Sequence, residues 1–270
     1  MATAPFPVQE PPDPDDASLQ PSEELEEAGG KMSFLDHLDE LRKRLIASLI
    51  ALVVGVLVCF GFVAYIFEFI MEPLTEVLPD GGTLIFTEPA EAFFLYIKMA
   101  ALAGLLVASP YVLWQVWQFV APGLYVHEKK FAIPFVGLAS AFFIGGALFS
   151  HYVLFQVAWR FFASFDTPFL TFAPRIQPAF SLYVRLALAC AVVFQLPTVV
   201  FFLARMGVVT SGLLIRSTKY AILGIFVFAA VLTPTGDPVT LTVMAAPMMA
   251  LYGLSIFIAW AFGRRDADEE

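Results

Sequence analysis

The sequence predicts an all-α membrane protein of six transmembrane helices with both termini in the cytoplasm. Two observations carry that prediction. Long apolar runs recur along the chain, and most basic residues fall on one side of them. Composition agrees: 59% of residues are hydrophobic and 14% charged, against roughly 45–50% and about 25% in soluble domains.

Residues 1–31 come first. The first thirty carry eight acidic side chains and no basic one, with abundant Pro, Ala and Glu. Such a stretch cannot bury enough apolar area to offset its ordering entropy, so a disordered acidic tail is expected. It lacks the basic start and apolar core of a secretory signal. A membrane domain is expected over 32–263, and 264–270 form a short charged tail.

The domain opens with Ser33-Phe-Leu-Asp36, which has the spacing of a capping box. Phe34, Leu38, Leu41 and Leu45 then recur at helical spacing. This predicts a short interfacial helix feeding the first span. Glu40 lies four residues before Arg44, so an intrahelical ion pair is one reading of it.

Five runs reach the ~20 apolar residues that a spanning helix needs. They are Leu45–Phe67, Ala92–Val116, Phe131–Trp159, Phe180–Ala204 and Val239–Phe262. The hydrocarbon core cannot satisfy stray backbone groups, so runs of this length are helices. A sixth run, Ala221–Leu232, is short. Charge decides it. If the short run crosses, eleven of the fifteen Lys and Arg lie on one side, and only Lys98, Arg160, Arg175 and Arg185 lie toward the other. The positive-inside rule therefore selects six spans with both ends inside.

Between the runs, Glu68, Glu72, Glu76 and Asp80 recur every four residues and predict one solvated acidic helix face. Pro168, Pro174 and Pro178 punctuate the loop after the third run. Gly137, Ala141 and Gly145 are four apart and predict a small-residue packing face on the third span. Glu128 is the sole acid between the second and third runs, beside Lys129 and Lys130. Tyr125 and Trp117 suit a membrane–water boundary. Gln195 is an amide at membrane depth, two residues before Pro197. It suits a functional or interfacial role, or relief of the Val193 carbonyl that Pro197 leaves without a helical donor. Asp237 sits in the Thr233–Pro238 turn and suits a cap of the last helix.

Several chemistries are not indicated. Cys59 and Cys190 are isolated in apolar runs and read as packing residues. His37, His127 and His151 are scattered, and no metal-ligand spacing occurs. There is no phosphate-binding loop, and no cofactor or enzymatic activity is expected.

Phe34-Leu-Asp-His-Leu-Asp-Glu-Leu-Arg-Lys-Arg44 resembles the opening motif of the TatC family, the receptor subunit of the twin-arginine protein translocase. Ser109-Pro110 and Gln115-Val-Trp-Gln-Phe119-Val-Ala-Pro-Gly-Leu-Tyr-Val-His-Glu-Lys-Lys130 resemble its second signature. Glu72-Pro73-Leu74, Phe194-Gln195-Leu-Pro197 and Leu232-Thr-Pro234 leading to Asp237 extend the resemblance over about Met32 to Arg265. It implies a concave, glove-like bundle with an extracytoplasmic cap and a short fifth span. It also implies binding of twin-arginine signal peptides of folded cargo, and export with single-span TatA/TatB-type subunits driven by the proton-motive force. Glu40 and Glu128 match the two acids credited with reading the Arg pair. Arg42, Pro110, Phe119 and Tyr125 match residues shaping the same cytoplasmic surface. Gln195, Asp237 and Pro73 match positions credited with partner docking or transport. The family often has Glu where this chain has Gln195, so a role needing charge there is in doubt. The resemblance further implies a homo-oligomer in a receptor complex in the cytoplasmic membrane. The competing reading is a six-span secondary transporter of a small solute. Its expected midplane charge and paired repeats are not evident.

Overall fold

In the computed structural model the described residues are 34–78, 82–120, 132–167, 169, 171–233 and 237–263. The predicted tails, Ser33 and Asp80 lie outside them. Every long element is helical: α1 Phe34–Gly61, α2 Val63–Thr75, α3 Glu91–Val120, α4 Ala132–Phe149, α5 Gln156–Ala163, α6 Ile176–Val193, α7 Leu196–Arg205, α8 Ser211–Leu232 and α9 Pro238–Phe262. A π-helical segment, Ser150–Phe155, joins α4 to α5. Six stretches are long and apolar enough to cross a membrane: His37–Gly61, Glu91–Phe119, Phe135–Ala163, Ile176–Arg205, Ser211–Leu232 and Pro238–Phe262.

The chain divides into two units, Met1–Leu45 and Ile46–Glu270. The described part of the first is the opening of α1. This helix runs unbroken from Phe34 to Gly61, so among the described residues no separate interfacial helix precedes the span. Phe34 is the first described residue, and Ser33 of the predicted capping box lies outside the described residues.

Three boundaries differ from the apolar runs, each for a local reason. The first run stops at a turn rather than Phe67. Phe62 leaves helical geometry after Gly61, and α2 starts at Val63. That helix is amphipathic, with Ile70, Met71 and Leu74 buried and Glu68, Glu72 and Glu76 exposed. The fourth run breaks at Phe194–Gln195, because Pro197 cannot donate to the preceding turn. The short sixth run belongs to a full 22-residue helix, about 33 Å long. The Thr210 hydroxyl caps its start by accepting from Leu213 N at 3.3 Å. Its first turns carry Arg216 and Lys219, which is why hydropathy hides them. It is nonetheless the shortest of the six candidate spans.

Within the larger unit α4 packs on α6 and on α3, and α9 packs on α7 and α8. One apolar cluster joins α2, α3, α5 and α6 through Met71, Leu74, Met99, Trp159 and Phe180. A second joins α6, α8 and α9 through Leu186, Cys190, Ala229 and Met244. Lipid tails are as apolar as Leu, so close backbone approach rather than water expulsion holds such helices together. Two crossings show it. A Cβ on Gly104 of α3 would fall 2.5 Å from Val56 N of α1. A Cβ on Gly146 of α4 would fall 2.6 Å from Cys190 O of α6. The predicted small-residue face is displaced accordingly. Gly137 and Gly145 have open space around their Cβ positions, and Ala141 is exposed. The packed face instead presents Val136, Ser140, Gly146 and Ala147. Each residue turns a helix by about 100°, so a face inferred from spacing alone is easily off by one position.

Candidate functional site

Glu40 lies in the first unit. Its Oε1 accepts from Arg44 Nη2 at 3.3 Å, and the side chain is 19% exposed. The intrahelical pair read from the spacing is therefore formed. Glu40 Oε2 is shielded from solvent and has no hydrogen-bond donor among the described residues. Arg42 is exposed.

In the larger unit, Pro110 sits inside α3 without breaking it. Proline removes the N–H that would bond Leu106 O. The neighbouring Ser109 hydroxyl donates to that same carbonyl at 2.7 Å. The Ser-Pro pair thus keeps α3 continuous to its end, where Phe119 is half-buried. Trp117, expected at a membrane–water boundary, is covered by neighbouring helices. It is 5% exposed and packs against Phe135 of α4 at 4.4 Å and Phe202 of α7 at 5.9 Å. Phe135 and Phe201, then Phe201 and Phe262, continue the cluster. Aromatic edges and faces bind the end of α3, the start of α4 and the ends of α7 and α9 into one platform. The 121–131 segment that joins α3 to α4 lies outside the described residues, and with it Glu128 and Tyr125. Separation along the chain gives no hint of the aromatic platform.

The remaining predicted residues lie elsewhere. Gln195 is half-buried at the α6–α7 break, and its Nε2 donates to Ala139 O of α4 at 3.0 Å. It ties two spans together instead of relieving the Val193 carbonyl. Asp237 caps α9: Oδ2 accepts from Thr240 N at 2.7 Å, with Pro238 beginning the helix. Pro73 is buried inside α2.

Two residues were not read as sites in the sequence. The first is Glu91, 5% exposed at the start of α3. Its Oε2 accepts from Thr87 N at 2.8 Å and Glu88 N at 3.3 Å, and its Oε1 accepts from Gln177 N of α6 at 3.2 Å. One carboxylate thus joins the starts of two spans. Beside it, Ile85 and Arg175 form a parallel bridge, with Ile85 N on Pro174 O and Ile176 N on Ile85 O. The Arg175 guanidinium also donates to the Thr87 hydroxyl. The segments after the first and third spans meet here. Glu88-Pro89-Ala90-Glu91 carries a helix-start signature, but nothing along the chain points to Gln177. The second residue is His151, 1% exposed in the π-helical segment. Its ring stacks on Phe69 at 4.1 Å and meets Tyr152 edge-on at 4.6 Å.

A family profile described as Sec-independent protein translocase protein (TatC) matches residues 36–247. Proteins described as Sec-independent protein translocase protein TatC are similar along most of their length. That of Koribacter versatilis is 40% identical over 241 residues, covering 87% of this chain and 88% of the relative. That of Desulforapulum autotrophicum is 40% identical over 241 residues, with 89% of each covered. A crystal structure of the twin arginine translocase receptor TatC superposes with a TM-score of 0.71 at 35% identity. That match covers 83% of this chain and 97% of that one.

Proposed function

This chain belongs to the TatC family of Sec-independent protein translocase proteins, and on that premise we propose that it is the receptor for twin-arginine signal peptides. It is a multi-pass inner-membrane protein of a protein translocase, not an enzyme. In our reading both termini face the cytoplasm, because six crossings gather eleven of fifteen basic residues on one side. Folded cargo is exported with single-span TatA/TatB-type subunits, in a receptor complex holding more than one copy of this chain. The proton-motive force supplies the drive.

The observation that carries the proposal is the Glu40 carboxylate, with one oxygen held by Arg44 and the other without a donor among the described residues. A guanidinium is planar and permanently charged, and a carboxylate takes it bidentately. An incoming Arg must displace the groups that shield Oε2 and competes with Arg44 for Oε1. The second Arg of the signal takes Glu128. Arg42, Pro110, Phe119 and Tyr125 shape the surface around the peptide. Lys is discriminated against because an ammonium is a point charge without the fork.

A photocrosslinking twin-arginine signal peptide and its Lys-Lys variant, added to purified protein, test this. Glu40→Gln and Glu128→Gln are each expected to lower labelling by about tenfold, equivalent to ~1.4 kcal/mol. The Lys-Lys peptide labels weakly throughout. Wild-type labelling of both variants at normal protein levels would remove these residues from the site.

Gln195, Asp237 and Pro73 act after binding, in partner docking and transport. Gln195 has two amide donors, one of which reaches Ala139 O. The other groups of the amide serve a polar residue of a single-span partner. Gln195→Leu is expected to reduce partner copurification, and Asp237→Asn to slow transport while keeping the cap. Unchanged copurification and unchanged export in these two variants refute the assignment.

A further inference from the structure

The four basic residues that fall outside the main cluster of charge include Lys98 and Arg185. They line one open groove of about 640 Å³ between α3 and α6. From the geometry of that groove we propose a binding site for one anionic phospholipid.

The two helices start at a shared contact, Glu91–Gln177, and the groove is lined from Lys98 to Leu105 on α3 and from Phe180 to Leu188 on α6. Lys98 is seven residues beyond Glu91 and Arg185 eight beyond Gln177, which sets them ~10 and ~12 Å along their axes. The two cations therefore occupy one level. The spans here are 29 and 30 residues long, ~44 Å against a hydrocarbon core of ~30 Å. If the spans are centred, the level lies a few ångströms inside the core boundary, within reach of side chains that extend to the headgroups.

Both residues are exposed and neither forms an ion pair among the described residues. A second groove of about 560 Å³ shares Ser181 and Arg185 and adds Arg175. No acidic residue lines either groove. Cations at membrane depth are costly without a counter-ion, and among the described residues no ion pair supplies one to Lys98 or Arg185. Farther along the axes the first groove is purely apolar, lined by Leu105 and Leu188. A phosphate between Lys98 and Arg185, with an acyl chain lying toward Leu105 and Leu188, matches both halves. Its volume falls within the range of small-molecule sites.

The test uses the full chain in mild detergent, offered equal phosphatidylglycerol and phosphatidylcholine, with bound lipid counted by native mass spectrometry. Wild type is expected to retain phosphatidylglycerol preferentially. Lys98→Gln with Arg185→Gln lowers that retention about tenfold or more, whereas Lys98→Arg with Arg185→Lys keeps it. Ala101→Phe, which fills the groove without changing charge, also lowers it and keeps the test valid if the charge-removing pair folds poorly. Millimolar inorganic phosphate leaves the lipid in place. Equal retention of both lipids, or full retention in both the Lys98→Gln/Arg185→Gln and Ala101→Phe proteins, overturns the proposal. Displacement by inorganic phosphate overturns it in favour of a phosphate site. A photocrosslinker at Ser181 is expected to label lipid, and labelling of a single-span polypeptide instead assigns the groove to a protein partner.

Discussion

Gly146→Ala is expected to destabilise the protein by about 1–3 kcal/mol, while Gly145→Ala, one position away, leaves it unchanged or stabilises it by up to about 1 kcal/mol. The contrast follows from what each new methyl meets. At Gly146 it falls 2.6 Å from Cys190 O and 2.9 Å from Ala191 Cα, both backbone atoms of α6. Backbone cannot rotate aside, so the α4–α6 crossing must open. That crossing brings the two apolar clusters together through α6, and the cost spreads beyond the contact. At Gly145 no atom lies within 4 Å, so alanine only removes the conformational freedom that glycine has in the unfolded chain. Gly104→Ala is expected to behave like Gly146→Ala, because its methyl would fall 2.7 Å from Val56 Cα. Thermal unfolding in detergent, followed by intrinsic tryptophan fluorescence, ranks the variants. Equal melting temperatures for Gly145→Ala and Gly146→Ala would show that α4 and α6 do not touch there.

Glu91→Ala is expected to lower the melting temperature by about 5 °C or more and to abolish export. Three backbone N–H groups converge on this carboxylate, and among the described residues no other acceptor is in place for them. The bonds are part-buried and charge-assisted, so water replaces the lost carboxylate only in part. The variant also cuts the tie between the starts of α3 and α6, beside the Ile85–Arg175 bridge. Glu91→Gln separates charge from shape. Its amide is isosteric, but one of its two termini is a donor facing donors. It should therefore lose most of the same stability. Export and melting temperature measured on one preparation decide the matter: wild-type values for Glu91→Gln would show that the carboxylate is dispensable.

Much of the fold was legible in the chain because lipid simplifies the problem. Each crossing must satisfy its own backbone, so run length reports helices directly. Asp237 illustrates a local signal that transferred intact, with a turn, an acid and Pro238 giving an N-cap. The Glu40–Arg44 pair did the same through i,i+4 spacing. Gln195 shows where local reading stops. The sequence placed an amide beside a helix break, but its bond goes to Ala139, 56 residues away. Glu91 and Trp117 were harder still, since their partners lie in helices that the chain reaches only after long detours.

The sequence alone determined the number and type of the elements and the family membership carried by its motifs. Those properties depend on composition and short-range spacing, which a linear chain displays in full. Only the tertiary structure decided which glycines allow close approach, which carboxylate joins two spans and which cations share a groove. Each of these depends on the rotation of one helix about its axis relative to another, where a single residue shifts the face by about 100°. In a uniformly apolar helix no hydrophobic stripe records that angle.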